Sequence, residues 1–316
     1  MFRRHCVHLL GCLLPLASLP VLAQEPVGGP LEVTVRRALP VDENPQSLPD
    51  TTSLSRNLPE GKKSVYNRCE TTQPVIAITF DDGPDPVLTP RLLDLLKARG
   101  IHATFFMVGR NVSAFPDVVK RMVAEGHEVA NHSWSHPLLT QMGQQSVESQ
   151  IRRTHDAIVK ACGVAPLVYR PPYGAIGMSQ RARIEKSFGY SAILWDVDPL
   201  DWQKPRQAQK VYDRVISQTK PGSIILCHDI HETTIAAMPA VLDDLKGRGY
   251  AFATVTQLIS LTTPPPEPPV VAAGADASAT PATPALAPPA VAAPQTSTVD
   301  SPATLSPQTE KEKSSP

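Results

Sequence analysis

The fold of this chain is decided by Val75-Ile76-Ala77-Ile78-Thr79-Phe80-Asp81-Asp82-Gly83-Pro84. Six mostly apolar residues lead directly into two aspartates, and the Gly-Pro pair then stops regular pairing. Such an apolar run is typical of a strand that is buried on both faces, as in a parallel sheet. We therefore expect both carboxylates to lie where the strand leaves the sheet. Because Asp and Gly are ordinary turn residues, the pair would also suit a turn that caps the next helix.

Segments with strand-like and helix-like patterns alternate downstream of this stretch. Short apolar runs predict strands at 75–81, 102–108, 127–132, 167–171, 191–197, 223–228 and 251–255. Amphipathic stretches predict helices at 90–99, 116–125, 146–161, 178–188, 208–219 and 237–246. We expect Thr89 to cap the first helix, and Gly100, Gly126 and Gly163 to end the first three. This alternation predicts an α/β fold with a parallel sheet, either closed into a barrel or doubly wound.

The polar residues that could do chemistry follow the ends of the predicted strands. They are Asp81 and Asp82 after the first strand, His132 and His136 after the third, Arg170 to Gly174 after the fourth, Asp198 and Asp201 after the fifth, and His228 with Asp229 at the end of the sixth. In barrels and in open α/β sheets, the carboxyl ends of parallel strands meet at one face, which holds the functional site. We therefore expect one site at that face.

The segment His132-Ser133-Trp134-Ser135-His136 spaces two imidazoles four residues apart. That spacing can bring both rings to one metal ion, although such pairs are also common at surfaces and in cores. With Asp82 they make a set of two imidazoles and one carboxylate. Three protein ligands leave coordination positions on the metal open for water and a substrate oxygen. Zn²⁺ is the first candidate for the metal ion, with Co²⁺ or Ni²⁺ as alternatives.

If Asp82 binds metal, its neighbour Asp81 is free to take a proton from the attacking water. Arg170 could hold Asp81 ionised, since an opposite charge favours the carboxylate. Arg170 opens the segment Arg170-Pro171-Pro172-Tyr173-Gly174, in which two prolines forbid regular pairing. The segment predicts either a structural proline corner or a rigid turn whose Tyr173 N–H points into the site.

A histidine at the end of the sixth predicted strand is placed to protonate a leaving group. His228 is the first candidate and His231 is its competitor. The segment Asp198-Pro199-Leu200-Asp201-Trp202 supplies two carboxylates, either of which could orient such a histidine. Trp202 beside them suits stacking against a sugar ring.

Five segments, in this order, resemble the motifs of the polysaccharide deacetylases, carbohydrate esterase family four, also called the NodB homology domain. They are Thr79-Phe80-Asp81-Asp82-Gly83-Pro84, His132-Ser133-Trp134-Ser135-His136, Arg170-Pro171-Pro172-Tyr173-Gly174, Asp198-Pro199-Leu200-Asp201-Trp202 and Leu226-Cys227-His228-Asp229. The resemblance covers residues from about 70 to 262. It implies a distorted (β/α)₇ barrel, similar to a TIM barrel, and a metal-dependent hydrolase that removes acetyl groups from N-acetylglucosamine polymers or acetylated xylan.

The resemblance also implies a role for each motif residue. Asp81 would be the base, with Arg170 as its partner, and Asp201 would tether His228, the acid. Asp82, His132 and His136 would bind the metal, and Tyr173 would give its backbone N–H to the oxyanion. Trp202, Pro171 and Tyr173 would contact the sugar. The continuation from Asp229 to Thr234 resembles members that act on peptidoglycan or chitin-like chains. We therefore expect an N-deacetylase, with acetylxylan O-deacetylation or a catalytically retired carbohydrate-binding protein as alternatives.

The two ends of the chain differ from its centre. Residues 1–23 contain two arginines, an apolar stretch and Val21-Leu22-Ala23, which predicts a secretory signal and therefore a periplasmic, cell-surface or secreted protein. An uncleaved anchor or a lipoprotein box at Leu9–Cys12 is an alternative to that signal. We expect an irregular lead-in over 24–72, a catalytic domain over 73–262 and a disordered Pro/Ala-rich tail over 263–316.

Composition excludes several functional classes. With 30 basic and 30 acidic residues, the chain shows no polycationic signature of nucleic-acid binding. Signal cleavage would leave Cys69, Cys162 and Cys227, which cannot all pair with one another, so a small disulfide-stapled scaffold is excluded. We expect an acetylated glycan as the partner and no membrane span after cleavage; the oligomeric state stays open.

Overall fold

The computed structural model describes residues 50–51 and 54–262. The predicted signal, the predicted tail and most of the predicted lead-in therefore lie outside the described residues. Within the described part of the chain, no helix is both long enough and apolar enough to cross a membrane.

Eight strands and eight α-helices make up the described chain. They are β1 Val65–Tyr66, β2 Val75–Asp81, α1 Leu88–Lys97, β3 Thr104–Met107, α2 Gly109–Ala114, α3 Pro116–Ala124, β4 Glu128–Asn131, α4 Gln144–Cys162, β5 Val168–Tyr169, α5 Met178–Phe188, β6 Ser191–Ile193, α6 Ala208–Gln218, β7 Ile224–His228, α7 Glu232–Gly247, β8 Ala251–Phe252 and α8 Val255–Ser260. Short 3₁₀ turns lie at Leu139–Gln141 and Pro172–Gly174.

The strands form one parallel sheet in the order β1-β6-β5-β4-β3-β2-β7, and β8 pairs with the start of β2. Beyond β6, the chain returns to the far edge of the sheet, where Val197 makes an isolated parallel bridge to Ile225 of β7. That bridge joins the segment after β6 to the edge strand β7 at a single residue pair and closes the sheet irregularly. The fold is therefore the distorted α/β barrel that the resemblance implied. The doubly wound alternative is wrong.

All seven residues of β2 are buried, and they alternate between two apolar clusters. Ile76, Ile78 and Phe80 pack against the surrounding helices. Val75 and Ala77 lie in the other cluster, which includes residues of the remaining strands and of α8. Thr79 and Asp81 share the second face by the same alternation, which is why the strand ends with a buried carboxylate.

The register of the sheet places the strand ends side by side. Asp81 lies opposite Phe106 of β3 and opposite His228 of β7. On the other side of β3, Asn131 ends β4 opposite Tyr169 of β5, one residue before Arg170. Because these strands are parallel, the segments that follow them all emerge at one face, as predicted.

Three strands end two or more residues before the predicted position, each for a local reason. β5 stops at Tyr169 because Arg170 is followed by two prolines, which cannot donate to a sheet ladder. β6 stops at Ile193, after which the N–H of Asp196 donates to Ile224 O across the closing edge. β8 stops at Phe252 because Thr254 accepts a hydrogen bond from the N–H of Gln257 and begins α8.

The prediction that Thr89 caps the first helix is wrong. α1 begins at Leu88, and Asp85 Oδ1 accepts hydrogen bonds from the N–H groups of Val87 and Leu88. The Thr89 hydroxyl instead donates to the buried carboxylate of Asp229. At the other end of its helix, Gly163 has φ 76° at the C-cap of α4, as a left-handed cap requires.

Four further elements differ from the sequence prediction. α7 begins at Glu232, earlier than expected, and includes Pro239 because Thr234, Ile235 and Met238 are buried against the barrel. The short helices α2 and α8 carried no sustained helical pattern and were not predicted. In the predicted lead-in, β1 pairs with β6 and buries Tyr66.

Candidate metal centre and active site

One cavity of about 420 Å³ opens at the carboxyl ends of the strands. It is lined by Asp81, Asp82, His132, His136, Pro171, Tyr173, Trp195, Asp198, Trp202, Leu226 and His228. The sequence had assigned a candidate role to all of these residues except Trp195 and Leu226, of which Leu226 was named only as part of a motif. Arg170 and Asp201 support the cavity from behind its wall, where each is at most 2% exposed.

Asp82, His132 and His136 converge on one point of this cavity. Asp82 Oδ1 lies 3.6 Å from His132 Nε2 and 3.5 Å from His136 Nε2. That carboxylate oxygen is buried and has no hydrogen-bond partner among the described residues. One carboxylate oxygen and two imidazole nitrogens, all within 4.8 Å of one another, are a donor set that fits a divalent metal ion.

The surroundings of His132 hold its ring in the neutral form and in the orientation that a metal ligand needs. Its Nδ1–H donates to the carbonyl of Arg170 at 2.7 Å, which leaves the Nε2 lone pair facing Asp82. Burial lowers the pKa of His132 to about 3, although the charge of Asp82 acts in the other direction. A ring that stays unprotonated can donate its lone pair at any physiological pH.

The backbone at the site is bent into a conformation that non-glycine residues rarely adopt. Positive φ angles occur at Asp82 (75°), Ser133 (64°), His136 (59°), Tyr173 (60°) and Leu200 (55°). Each of these residues lies in one of the segments that follow the strands. Such backbone persists only where surrounding contacts hold it. The contacts here include Asn111 Nδ2 to Asp82 O at 2.8 Å and the His136 N–H to Ser133 Oγ at 3.1 Å.

Asp81 forms a completely buried ion pair with Arg170. Arg170 Nη1 donates to Asp81 Oδ1 at 2.6 Å and to Thr79 Oγ1 at 2.8 Å, while Nε and Nη2 donate to the carbonyls of Ile193 and Leu194. The sequence predicted that Arg170 would hold Asp81 ionised. Burial raises the pKa of Asp81 above its ordinary value, and the opposing charge of Arg170 offsets only part of that rise. Asp81 is therefore a stronger base than a free aspartate.

His228 is held by Asp201 through two contacts. Its Nδ1–H donates to Asp201 Oδ1 at 2.7 Å, and its backbone N–H donates to Oδ2 at 2.8 Å. The Thr234 hydroxyl also donates to Oδ2 at 2.7 Å. With Nδ1 engaged, the other ring nitrogen of His228 is left for the cavity.

Charge decides the protonation state of this histidine. Burial by itself lowers the pKa of His228, but the hydrogen bond to Asp201 and the negative charges of Asp201, Asp81 and Asp82 outweigh it and raise the pKa to about 9. The pKa of Asp201 is correspondingly lowered by His228, against the effect of its own burial. The pair is therefore an imidazolium and a carboxylate near neutral pH.

The structure distinguishes His228 from His231, the two candidates for the acid, and Asp201 from Asp198, the two candidates for its carboxylate partner. No hydrogen bond joins the described side chains of His231 and Asp201; Arg206 Nη2 donates to His231 Nε2 at 3.4 Å, and the His231 ring centroid lies 5.9 Å from that of His228. Asp198 Oδ1 accepts the Leu200 N–H at 2.8 Å and helps to fold the loop. Asp201, and not Asp198, therefore orients the histidine at the cavity.

Aromatic and apolar side chains form the walls of the cavity. Tyr173 is 66% exposed, and its ring packs edge-on against that of His136 with the centroids 4.7 Å apart, while Trp202 in the same lining is 47% exposed. The sequence missed Trp195 and Leu226. Trp195 was hidden inside the predicted strand 191–197, whereas β6 ends at Ile193, and Leu226 lay within an apolar run.

A comparison with protein families finds one match over residues 68–193, the family described as polysaccharide deacetylase. The chain is 45% identical over 186 residues to the peptidoglycan-N-acetylmuramic acid deacetylase PdaC of Bacillus subtilis, covering 59% of this chain and 39% of that protein. It is 37% identical to a chitooligosaccharide deacetylase of Sinorhizobium fredii, covering 60% of this chain and 94% of that protein. Against PdaC and the similar PgdA of Listeria monocytogenes, the matched region spans about two fifths of the relative's length.

Solved structures show the same likeness in three dimensions. The Bc1960 peptidoglycan N-acetylglucosamine deacetylase superimposes with a TM-score of 0.59 at 33% sequence identity. The superposition covers 62% of this chain and 92% of that structure. The likeness therefore extends over nearly the whole of the other domain.

Proposed function

The chain belongs to the polysaccharide deacetylase family, and from that premise we propose that it removes acetyl groups from polysaccharide containing N-acetylglucosamine, either peptidoglycan or chitin-like chains. The observation that carries the proposal is the cavity that combines a three-ligand metal set, a buried aspartate of raised pKa and an imidazolium. Binding alone needs none of these three groups.

Asp82, His132 and His136 would hold one divalent ion, for which we propose Zn²⁺, with Co²⁺ or Ni²⁺ as alternatives. Such an ion would polarise the acetamide carbonyl and lower the pKa of a water molecule beside it. The neutral state of His132 and the unpartnered oxygen of Asp82 support this assignment.

The remaining residues divide the proton transfers between them. Asp81, held by Arg170, takes a proton from the water that attacks the acetyl carbon. The backbone N–H of Tyr173 would stabilise the oxyanion that forms on the acetyl oxygen. His228 then gives its proton to the sugar nitrogen as the carbon–nitrogen bond breaks, so acetate and a free amine leave.

The cavity walls suit an acetylated sugar. Trp195 and Leu226 offer an apolar surface for the acetyl methyl group, which is the only apolar end of the acetamide. The exposed faces of Trp202 and Tyr173 can lie against a sugar ring, and Pro171 completes that wall. From the predicted signal, we propose that the protein is exported to the periplasm or the cell surface, next to a wall polymer.

An assay of released acetate tests this function. Purified protein is incubated with chitooligosaccharides, peptidoglycan and acetylxylan, and the Asp81→Asn variant serves as the control for adventitious hydrolysis. We expect acetate from the amino-sugar substrates. Release from acetylxylan alone would favour O-deacetylation, and tight glycan binding without any release would identify a carbohydrate-binding protein that has lost catalysis.

The Asp201–His228 pair predicts a specific pH dependence. An acid that must enter the reaction protonated loses activity as the pH rises through its pKa, so the alkaline limb of the kcat profile should report His228. Asp201 raises that pKa, and Asp201→Asn is therefore expected to move the limb to lower pH and to lower the maximum. The measurement is kcat from pH 5 to pH 10 at saturating substrate.

Two variants control this prediction. His228→Ala should abolish the limb together with most of the activity, whereas His231→Ala should leave the limb in place because Asp201 is hydrogen-bonded to His228, while the ring of His231 accepts from Arg206. An Asp201→Asn enzyme whose limb stays at the wild-type pH would refute the pairing. Loss of the limb in His231→Ala instead would show that His231 is the acid.

A further inference from the structure

A cluster of positive charges lies beside the catalytic cavity, on the loop that follows Asp201 and on α6. A second cavity of about 370 Å³ lies between that loop and α6, lined in part by Lys204, Lys210 and Arg214. Arg206 belongs to the same loop and reaches His231, the neighbour of the catalytic candidate His228. These four cations, which we call the loop cations, flank one side of the site.

The loop cations are not neutralised from within the protein. None of the four forms an ion pair with another residue in the described part of the chain. Two carboxylates line the second cavity: Asp201 is paired with the imidazolium of His228, whereas Asp213, which accepts a hydrogen bond from the neutral Gln209, keeps its charge and offsets only one of the four cations. Positive charge is therefore in excess on this side of the site.

Arg206 is the loop cation that is held towards the site. Its Nη2 donates to His231 Nε2, and the Nδ1–H of His231 donates to the carbonyl of Ile230 at 3.0 Å. Burial and the charge of Arg206 lower the pKa of His231, which therefore acts as a neutral acceptor. The remaining N–H groups of the exposed guanidinium are left for a ligand.

The chemistry of the glycans suggests what that ligand is. Chitin-like chains are neutral, whereas peptidoglycan carries carboxylates, either on the lactyl group of muramic acid or on the peptides attached to it. A guanidinium presents a planar fork that matches a carboxylate, and lysines nearby add attraction of longer range. We propose that the loop cations form a subsite for a carboxylate carried next to the reacting sugar, so that the enzyme prefers an acidic glycan; this rests on the proposed function.

Substrates of matched shape test the subsite. The probe is a peptide-free strand of alternating N-acetylglucosamine and N-acetylmuramic acid with free lactyl carboxylates; its control is the same strand with each carboxylate converted to an N-methylamide. We expect the wild-type enzyme to show a kcat/KM about 3- to 10-fold higher for the charged strand, the size of a partly exposed ion pair. Raising the ionic strength should erase the difference.

Protein variants then assign the preference to Arg206. Arg206→Gln should lower kcat/KM on the charged strand, mainly through KM, and should leave the amidated strand unchanged. Lys220→Gln is the matched control, because it removes an exposed positive charge just before β7, at the opposite end of the barrel. Equal wild-type kcat/KM on the two strands and on peptide-bearing strands, or an equal loss on both peptide-free strands in Arg206→Gln, would overturn the proposal.

Two further experiments complete the test of the subsite. A preference that appears with peptide-bearing strands, whose lactyl groups are already amides, would assign the carboxylate to the peptide. Binding of both strands to Asp81→Asn separates this proposal from the proposed function. If no substrate releases acetate, the function fails, while a lower Kd for the charged strand would still support the subsite and equal Kd values would refute it.

Discussion

His136→Ala is expected to lose the bound metal ion and turnover together, with a melting temperature close to that of the wild type. The His136 side chain is 24% exposed and lies 3.5 Å from the unpartnered oxygen of Asp82, so its loss removes one of three ligands without opening the core. Two remaining ligands are too few for a hydrolytic site of this type. Elemental analysis after dialysis and the absorption spectrum with Co²⁺ measure the metal, acetate release measures turnover, and a thermal melting curve measures stability.

His132→Ala should lose the metal equally but should also lower the melting temperature. The sequence indicated only that both histidines follow a strand end; the structure shows that His132 is just 2% exposed, and its loss leaves the Arg170 carbonyl without its donor. In the wild-type protein, a strong chelator should abolish activity, and Zn²⁺ or Co²⁺ should restore it. Full activity in demonstrably metal-free protein would end the proposed mechanism.

The assembly of the site could be predicted from the sequence because it follows from topology. Asp82 and His132 are far apart in sequence, but each follows a parallel strand, and the ends of parallel strands meet at one face. The four-residue spacing of His132 and His136 then brought both rings to Asp82. The catalytic roles of these residues stay predictions, whereas their proximity is a consequence of the fold.

The local geometry could not be predicted, because it depends on contacts distant in sequence. The positive φ of Tyr173 and the wall formed by Trp195 and Leu226 arise only once the strands are paired. The sequence also overestimated the effect of Arg170 on Asp81. It showed the charge but not the burial, and burial is the larger influence on the pKa of Asp81.

The adjacent aspartates are expected to have separable roles. Asp81→Asn should keep the metal ion and lower kcat by about 10²- to 10⁴-fold, the usual contribution of a general base. The amide oxygen of asparagine can still accept from Arg170, but it cannot neutralise that buried cation, so some loss of thermal stability is also expected. Asp82→Asn should instead weaken metal binding, because it replaces a charged ligand by a neutral one.

Geometry alone leaves one competing assignment, and these two variants decide it. Asp81 Oδ2 and Asp82 Oδ1 both lie 3.6 Å from His132 Nε2, so distance from that ring does not distinguish base from ligand. Two differences favour Asp82 as the ligand: its oxygen also approaches His136, and Asp81 is already engaged by Arg170. Metal affinity of each variant, measured by competition with a chromophoric chelator, is the test. Equal loss of metal in both would make Asp81 a ligand, and the base would then have to be another group at the cavity.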